Sequence, residues 1–290
     1  MGPCRFDYYA PETVNEACKL AADIGDGAMF MAGGTDLLIK IKRKMLAPKA
    51  VIDIKKIKGL DEVTFDETNG LTIGPTTTLT TIEKHPVINE KYPAIADAAR
   101  ATANVQIRNM ASISGNLCNA APSAENAPVL MAMGSQVTLS GLEGTRSVPL
   151  EDFFSGPGKT VIKHGEILTS INIPAPLKGA GASYQHISAR GKVDISAVGV
   201  GVMLVMNGDI CDDARIFLGA VAPTPIMAIN AQKILKGNKI TEELLQTAGL
   251  EASKECKPIT DMRATAEYRS LMVAVLTGRA IDESRKRAVE

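Results

Sequence analysis

"NVQIRNMASISGNLCNAAPSAENAPVLMAM", residues 104–133, carries more small polar side chains than a plain connection needs. Ser112, Ser114, Gly115, Asn116, Asn119, Ser123, Glu125 and Asn126 crowd together, with apolar residues on either side. Pro122 and Pro128 bracket the acidic part. A segment such as "SISGN" can bring successive backbone N–H groups against an anion. Standing alone, the stretch reads as a long irregular surface loop. What surrounds it decides between the two.

Upstream lies "MFMAGGTDLLIK", residues 29–40. Gly33 and Gly34 lack a Cβ, so the chain there can take φ > 0 and something outside it can approach the backbone. Thr35 and Asp36 are N-cap candidates before the apolar Leu37, Leu38 and Ile39. A strand, a glycine turn and a capped helix start make an anion cradle, but such turns are common, and alone this one reads as connection. Two such loops together would clamp the two phosphates of a dinucleotide.

Working outward, "PETVNEACKLAADIGDG" sets Val14, Ala17, Ala21 and Ile24 on one helical face and stops at glycine. "AMFMA" and "AVIDIKK" are strand-like around the helical "LLIKIKRKML", which gives a βαβ unit near the N-terminus. "EVTFDETNGLTIGP" alternates on both sides of Asn69-Gly70, a hairpin. "TLTTIEKH", closed by Pro86, and "NEKYPAIADAARATA" read as two helices. "APVLMAMGSQVTLSG" runs from a helix end into a strand, and "GEILTSINIPAP" is another strand. "APLKGAGA", 175–182, is a candidate domain boundary. Beyond it come two or three strands with a turn at Asn207-Gly208, then three helical stretches. The G-x-G of Gly199 and Gly201 lacks a third glycine at dinucleotide spacing and reads as packing within a strand.

Composition bounds the class. The 290 residues are 45% hydrophobic and 22% charged, as expected of a globular protein of about two domains. Lys plus Arg equals Asp plus Glu at 32 each, so no electrostatic pull toward nucleic acid or membrane is expected. Five scattered cysteines without a C-x-x-C pair argue against an iron–sulfur or zinc site in this chain and suggest a reducing, cytoplasmic setting. Three unpaired histidines give no metal site. His85 reads as a helix terminus, His164 as a turn residue, and "KIKRK" (40–44) and "ESRKRAVE" as solvated helix surface. The start "MGPCRFDYYAPET" has no signal-peptide pattern, and no apolar run reaches the roughly 20 residues of a membrane span.

"AGGTDLL" (32–38), "TIGPTTTLTTIE" (72–83) and "QIRNMASISGNLCNAAPSAENAPVLMAM" (106–133) occur in the order and spacing of one family, and "GEILTSINIP" and "RGKVDISAVGVGVML" extend the match over nearly the whole chain. The sequence resembles the FAD-binding medium subunit of molybdenum hydroxylases, the group of xanthine dehydrogenase, carbon monoxide dehydrogenase, nicotinate dehydrogenase and 4-hydroxybenzoyl-CoA reductase. The resemblance implies an α+β chain. Its two-lobed FAD-binding domain, of the vanillyl-alcohol-oxidase-like (PCMH) type, would span 1–176, with lobes of about 1–57 and 58–176. A smaller C-terminal domain with an antiparallel sheet and helices would span 177–290.

The resemblance also implies a non-covalently held FAD. Ala32, Gly33, Gly34, Thr35, Asp36 and Leu37 would form one wall of its pyrophosphate site, and Ser112, Gly115 and Asn116 the other. Glu125 would accept from ribose hydroxyls, Leu168 would lie against the flavin, and Lys192 would stand as a cation beside the isoalloxazine. Two positions depart from the family pattern. Ser114 replaces the first glycine of "IGGN", at a cost of about 1 kcal/mol if that residue needs φ > 0. His186 stands close to where relatives carry a lysine, whose role would pass to Arg190 or Lys192.

The function implied is electron transfer. Molybdopterin would sit on a large partner subunit and [2Fe-2S] clusters on a small one, and the FAD here would pass electrons to NAD+ or another acceptor. No catalytic acid, base or nucleophile is assigned. The alternatives are a stand-alone FAD-dependent oxidase of the same fold and a scaffold subunit without flavin.

Overall fold

The computed structural model describes residues 5–191 and 194–289. The N-terminal lobe is built on three parallel strands, β1 (Asp7–Tyr9), β2 (Ala28–Met31) and β3 (Ala50–Asp53), in the order β1-β3-β2. Parallel neighbours require crossovers, and α1 (Val14–Ile24) and α2 (Leu37–Lys42) supply them. Helix α1 begins where the Thr13 hydroxyl accepts from the Glu16 N–H at 3.1 Å, and buries Ala17, Cys18 and Ala21. The βαβ unit read from the sequence is therefore present, with β1 added on its far side. Strand β1 has three exposed residues and no apolar alternation, so it carried no signal.

The second lobe is a five-stranded antiparallel sheet, in the order β4 (Val63–Asp66), β5 (Gly70–Ile73), β10 (Ile167–Ile173), β6 (Gln136–Gly141) and β7 (Gly144–Pro149). A short ribbon of β8 (Phe154–Gly156) and β9 (Lys159–Thr160) leads into β10. The β4–β5 pair is the expected hairpin, closed by the Asp66 carboxylate accepting from the N–H groups of Thr68 and Asn69.

Between β5 and β6 lie six short helices: α3 (Leu79–Lys84), α4 (Pro86–Lys91), α5 (Pro93–Ala101), α6 (Val105–Arg108), α7 (Ile113–Cys118) and α8 (Asn126–Ala132). Pro86 opens α4 as well as closing α3, and "NEKYPAIADAARATA" is divided at Tyr92 rather than continuous. Pro93 lacks the N–H that a continuous helix would need and pushes the residue before it out of the helical region. Tyr92 accordingly sits at φ −135°, ψ 46°.

The C-terminal part is a four-stranded antiparallel sheet of β11 (Ala180–Ser188), β12 (Ser196–Asn207), β13 (Ile210–Gly219) and β14 (Ile226–Met227), followed by α9 (Ile229–Leu235), α10 (Glu242–Glu255) and α11 (Ala266–Val289). The alternation of β12 explains its glycines. Val198, Val200, Val202 and Leu204 pack with the C-terminal helices. The intervening positions face the second lobe, where a Cβ on Gly201 would stand 2.5 Å from the Pro128 backbone and one on Gly199 would stand 2.7 Å from the Tyr184 hydroxyl. Helix α8 can approach the sheet only over residues without side chains. The packing role read for these two glycines is the one they have. Ala182, Tyr184 and Phe217 of this sheet belong to the same apolar cluster as the second lobe, so the two share a core. No described helix is long and apolar enough to cross a membrane.

Candidate functional site

A cleft of about 920 Å³ opens where the three parts meet, within the range of small-molecule and cofactor sites. Its first wall is the loop from β2 into α2, with Ala32, Gly33, Gly34, Thr35, Asp36 and Leu37 all on the surface of the cleft. Gly34 takes φ +72°, a left-handed conformation that glycine adopts without penalty. Asp36 is the N-cap of α2, yet its side chain makes no capping bond. The N–H groups of Gly33 through Leu37 donate to no acceptor among the described residues. An anion with several oxygens would satisfy them, since unpartnered amides are a standing cost to the fold.

The second wall is the stretch around α7. Ser112, Gly115 and Asn116 line the cleft as expected. Ser112 caps α7, its hydroxyl accepting from the Gly115 N–H at 3.1 Å. The Leu79 N–H donates to the Ala111 carbonyl at 2.9 Å and holds this turn to the start of α3. The two walls touch directly, because a Cβ on Gly33 would overlap the Met110 carbonyl oxygen.

Ser114 departs from the expectation of backbone strain. It lies inside α7 and has no positive φ. Its buried hydroxyl donates to the Pro75 carbonyl and stands 3.3 Å from the Ser112 hydroxyl. The serine is an added tie between α7 and the β5–α3 connection, at no conformational cost.

Polar contacts behind the walls orient what faces the cleft. Fully buried Asn126 donates to the Asn116 amide oxygen at 3.1 Å and the Thr102 hydroxyl at 3.2 Å. With its oxygen so engaged, Asn116 has its NH₂ left to donate. The Lys40 ammonium, also lining the cleft, donates to Asn119 Oδ1 at 2.6 Å and ties α2 to α7. Glu125 is 8% exposed at the back of the cleft and accepts from the Ser196 hydroxyl at 3.3 Å. Burial pushes its carboxyl up to about 7, the charge of Asp36 adding to the rise. Near neutral pH it can therefore accept or donate.

Leu168 is 3% exposed on β10 and packs in the second-lobe core. His186 stacks on Tyr184 with ring centroids 5.9 Å apart, and burial lowers its pKa. It is a neutral packing group at pH 7 and no substitute for a lysine. Lys192 lies outside the described residues.

The third wall comes from the C-terminal domain, and apart from Arg190, named with Lys192 from the sequence, sequence reasoning missed its residues. Ala189, Arg190, Asp194 and Ile195 flank one side, and Met262 and Arg263 reach in from the strap before α11. Arg190 is held by Asp194 at 3.0 Å and Arg263 by Asp261 at 3.1 Å. Buried Arg269 anchors the strap by donating to Asp261 at 2.8 Å and to the Ala197 carbonyl at 2.6 Å.

Comparison with known proteins is consistent along the whole chain. Residues 4–176 match the FAD binding domain in molybdopterin dehydrogenase, and residues 182–284 the CO dehydrogenase flavoprotein C-terminal domain. This chain belongs to that flavoprotein family. It is 31% identical to the carbon monoxide dehydrogenase medium chain of Hydrogenophaga pseudoflava, over 97% of this chain and 98% of the relative. It is 30% identical to a putative xanthine dehydrogenase FAD-binding subunit of Escherichia coli, over 96% and 95%. Among solved structures, carbon monoxide dehydrogenase from H. pseudoflava, in a form lacking the Mo-pyranopterin moiety of the molybdenum cofactor, matches with a TM-score of 0.95 at 31% identity, covering 99% of both chains. The chain is thus an FAD-binding flavoprotein subunit of the xanthine dehydrogenase-like oxidoreductases.

The cleft fits that cofactor on its own terms. It offers five unpartnered backbone donors for a pyrophosphate, a glycine wall that leaves the backbone bare, and a carboxyl able to meet ribose hydroxyls.

Proposed function

We propose that this chain is the electron-transferring medium subunit of a heteromeric molybdenum hydroxylase. A large subunit would carry molybdopterin and a small subunit [2Fe-2S] clusters, and NAD+ or another acceptor would take the electrons. The substrate would be a purine, N-heterocycle, aldehyde, CO or aromatic acyl-CoA bound on the large subunit. The observation that carries this reading is the row of unpartnered N–H groups from Gly33 to Leu37 inside a cleft of cofactor size.

When bound, the flavin supplies the exchange between one-electron and two-electron transfer. The residues of this chain bind and orient it. Gly33–Leu37 hold the pyrophosphate through their amides, with Ala32 leading into the turn. The Asn116 NH₂ adds a donor from the opposite wall, where Ser112 and Gly115 keep the backbone close, and Glu125 meets the ribose. Lys192 keeps its role as the cation beside the isoalloxazine. We assign 1–176 to FAD binding and 177–290 to a domain that closes the third side of the cleft. Free thiols at Cys18, Cys118, Cys211 and Cys256 favour a cytoplasmic setting.

The test is purification of the full chain with its flavin. The yellow colour should be released as FAD on acid precipitation, and the chain alone should oxidise no purine, aldehyde or N-heterocycle while accepting electrons from a chemical reductant. Colour left in the pellet would mean covalent attachment. Substrate turnover by the chain alone would identify a stand-alone oxidase instead.

A further inference from the structure

The glycine loop is held from behind as well as from the cleft. The Lys55 ammonium donates to the Ala32 carbonyl at 3.0 Å, although Lys55 is not on the cleft surface. It is held in place by Asp53, whose carboxylate accepts from Lys55 Nζ at 2.7 Å and from the Lys55 backbone N–H at 3.0 Å. Asp53 ends β3, the central strand of the N-terminal sheet, and is 5% exposed. The oxygen that accepts from Lys55 Nζ, Oδ2, also accepts from the Tyr8 hydroxyl on β1 at 2.7 Å. A chain of contacts therefore runs from the outer strand β1, through Asp53 at the end of the central strand and Lys55, to the first peptide of the loop.

The peptide unit is planar and trans, so the carbonyl of Ala32 and the N–H of Gly33 point in opposite directions. With the carbonyl drawn to Lys55, the Gly33 N–H is turned away from it, toward the side where the described residues offer no acceptor. The carbonyl, an anion-repelling group, is withdrawn in the same movement. The lysine charge is matched by Asp53, so its action is on the orientation of the loop and not on the anion itself.

We propose that Lys55 is a positioning residue for the dinucleotide pyrophosphate: it fixes the Ala32–Gly33 peptide so that the amide row presents donors alone. The proposal rests on the FAD reading of the cleft. The deciding experiment titrates FAD and, separately, ADP into the flavin-free full chain of the wild type, Lys55→Met and Lys55→Arg. Lys55→Met should raise both Kd values by the same factor, about tenfold, as expected for loss of a hydrogen bond to a charged donor. Lys55→Arg should recover most of the loss. The factor should be equal at low and high salt, whereas a direct charge contact with phosphate would fade as salt screens it. The double variant Lys55→Met/Asp53→Asn removes the carboxylate left without its counter-charge and should bind as weakly while keeping the wild-type melting temperature. Wild-type affinity in both Met variants, with FAD binding intact, would overturn the positioning role and leave the FAD reading standing. Failure of the wild type to bind either ligand would overturn both.

Discussion

The two glycine-bearing loops look alike in sequence and solve opposite problems. In the first, Gly33 to Leu37 leave their N–H groups open, and the support comes from outside, from Lys55 behind and Met110 alongside. In the second, the polar groups are consumed internally. Ser112 caps Gly115, Ser114 bonds Pro75, and Asn116 is fixed by Asn126. An open loop offers backbone donors to whatever enters, while a satisfied one offers a single oriented side chain. Motif resemblance therefore does not translate into equal roles, and the glycines differ accordingly. Gly33 is required by its neighbour Met110, whereas a Cβ on Gly115 would meet only the Ser112 hydroxyl at 3.1 Å.

The largest expected effect lies at the contact between the loops. Gly33→Ala drives a methyl group into the Met110 carbonyl, so the walls must separate. Overpacking of this kind costs about 1–3 kcal/mol, and FAD should be lost on purification. Thermal melting and flavin content measured together check this; retention of both at wild-type levels would mean that the loops do not abut.

A second effect of similar size is tied to pH. The Glu125 carboxyl is raised from its ordinary 4.5 to about 7 in the folded chain. The folded state therefore holds a proton that the unfolded state releases. The stability this confers is complete below pH 4.5, is lost as pH rises toward 7, and stays lost above it. The displacement amounts to about 3 kcal/mol. In the flavin-free chain, Glu125→Gln should flatten that slope and exceed the wild type in stability above pH 7. Urea midpoints at pH 5 and pH 8 test it, and parallel pH profiles for the two proteins would refute the buried, protonated carboxyl.

A smaller effect sharpens the contrast between the loops. Ser114→Gly restores the family's glycine but removes the bond to Pro75 from within a helix. It should destabilise the chain by about 1–2 kcal/mol while leaving FAD affinity within a factor of two. A gain in stability would show that the serine is strained after all.

What could be read from the sequence followed from local rules. Apolar period, Asn-Gly turns and capping residues gave the βαβ unit, both hairpins and the three final helices, because each signal lies within a few residues of its consequence. Strand β11 escaped notice because "GASYQHIS" is small and polar. Its burial comes from α11 on one side, where Ser183 bonds the Ala280 carbonyl, and from the second lobe on the other. The glycine pattern suggested φ > 0 at position 114, but helix α7 formed there because Ser112 caps it and α3 anchors it. The C-terminal wall required knowledge of how α11 and Arg269 hang the strap over the cleft, a contact that spans 72 residues from Arg269 to Ala197.

Amide NMR of the flavin-free full chain titrated with FAD reads the open amide row residue by residue. Bound FAD should shift the Gly33, Gly34, Thr35 and Asp36 N–H signals and slow their exchange with solvent, while the already bonded Gly115 N–H moves much less. Saturation of the protein with FAD while those four amides stay unshifted and freely exchanging would mean that the glycine loop does not hold the pyrophosphate.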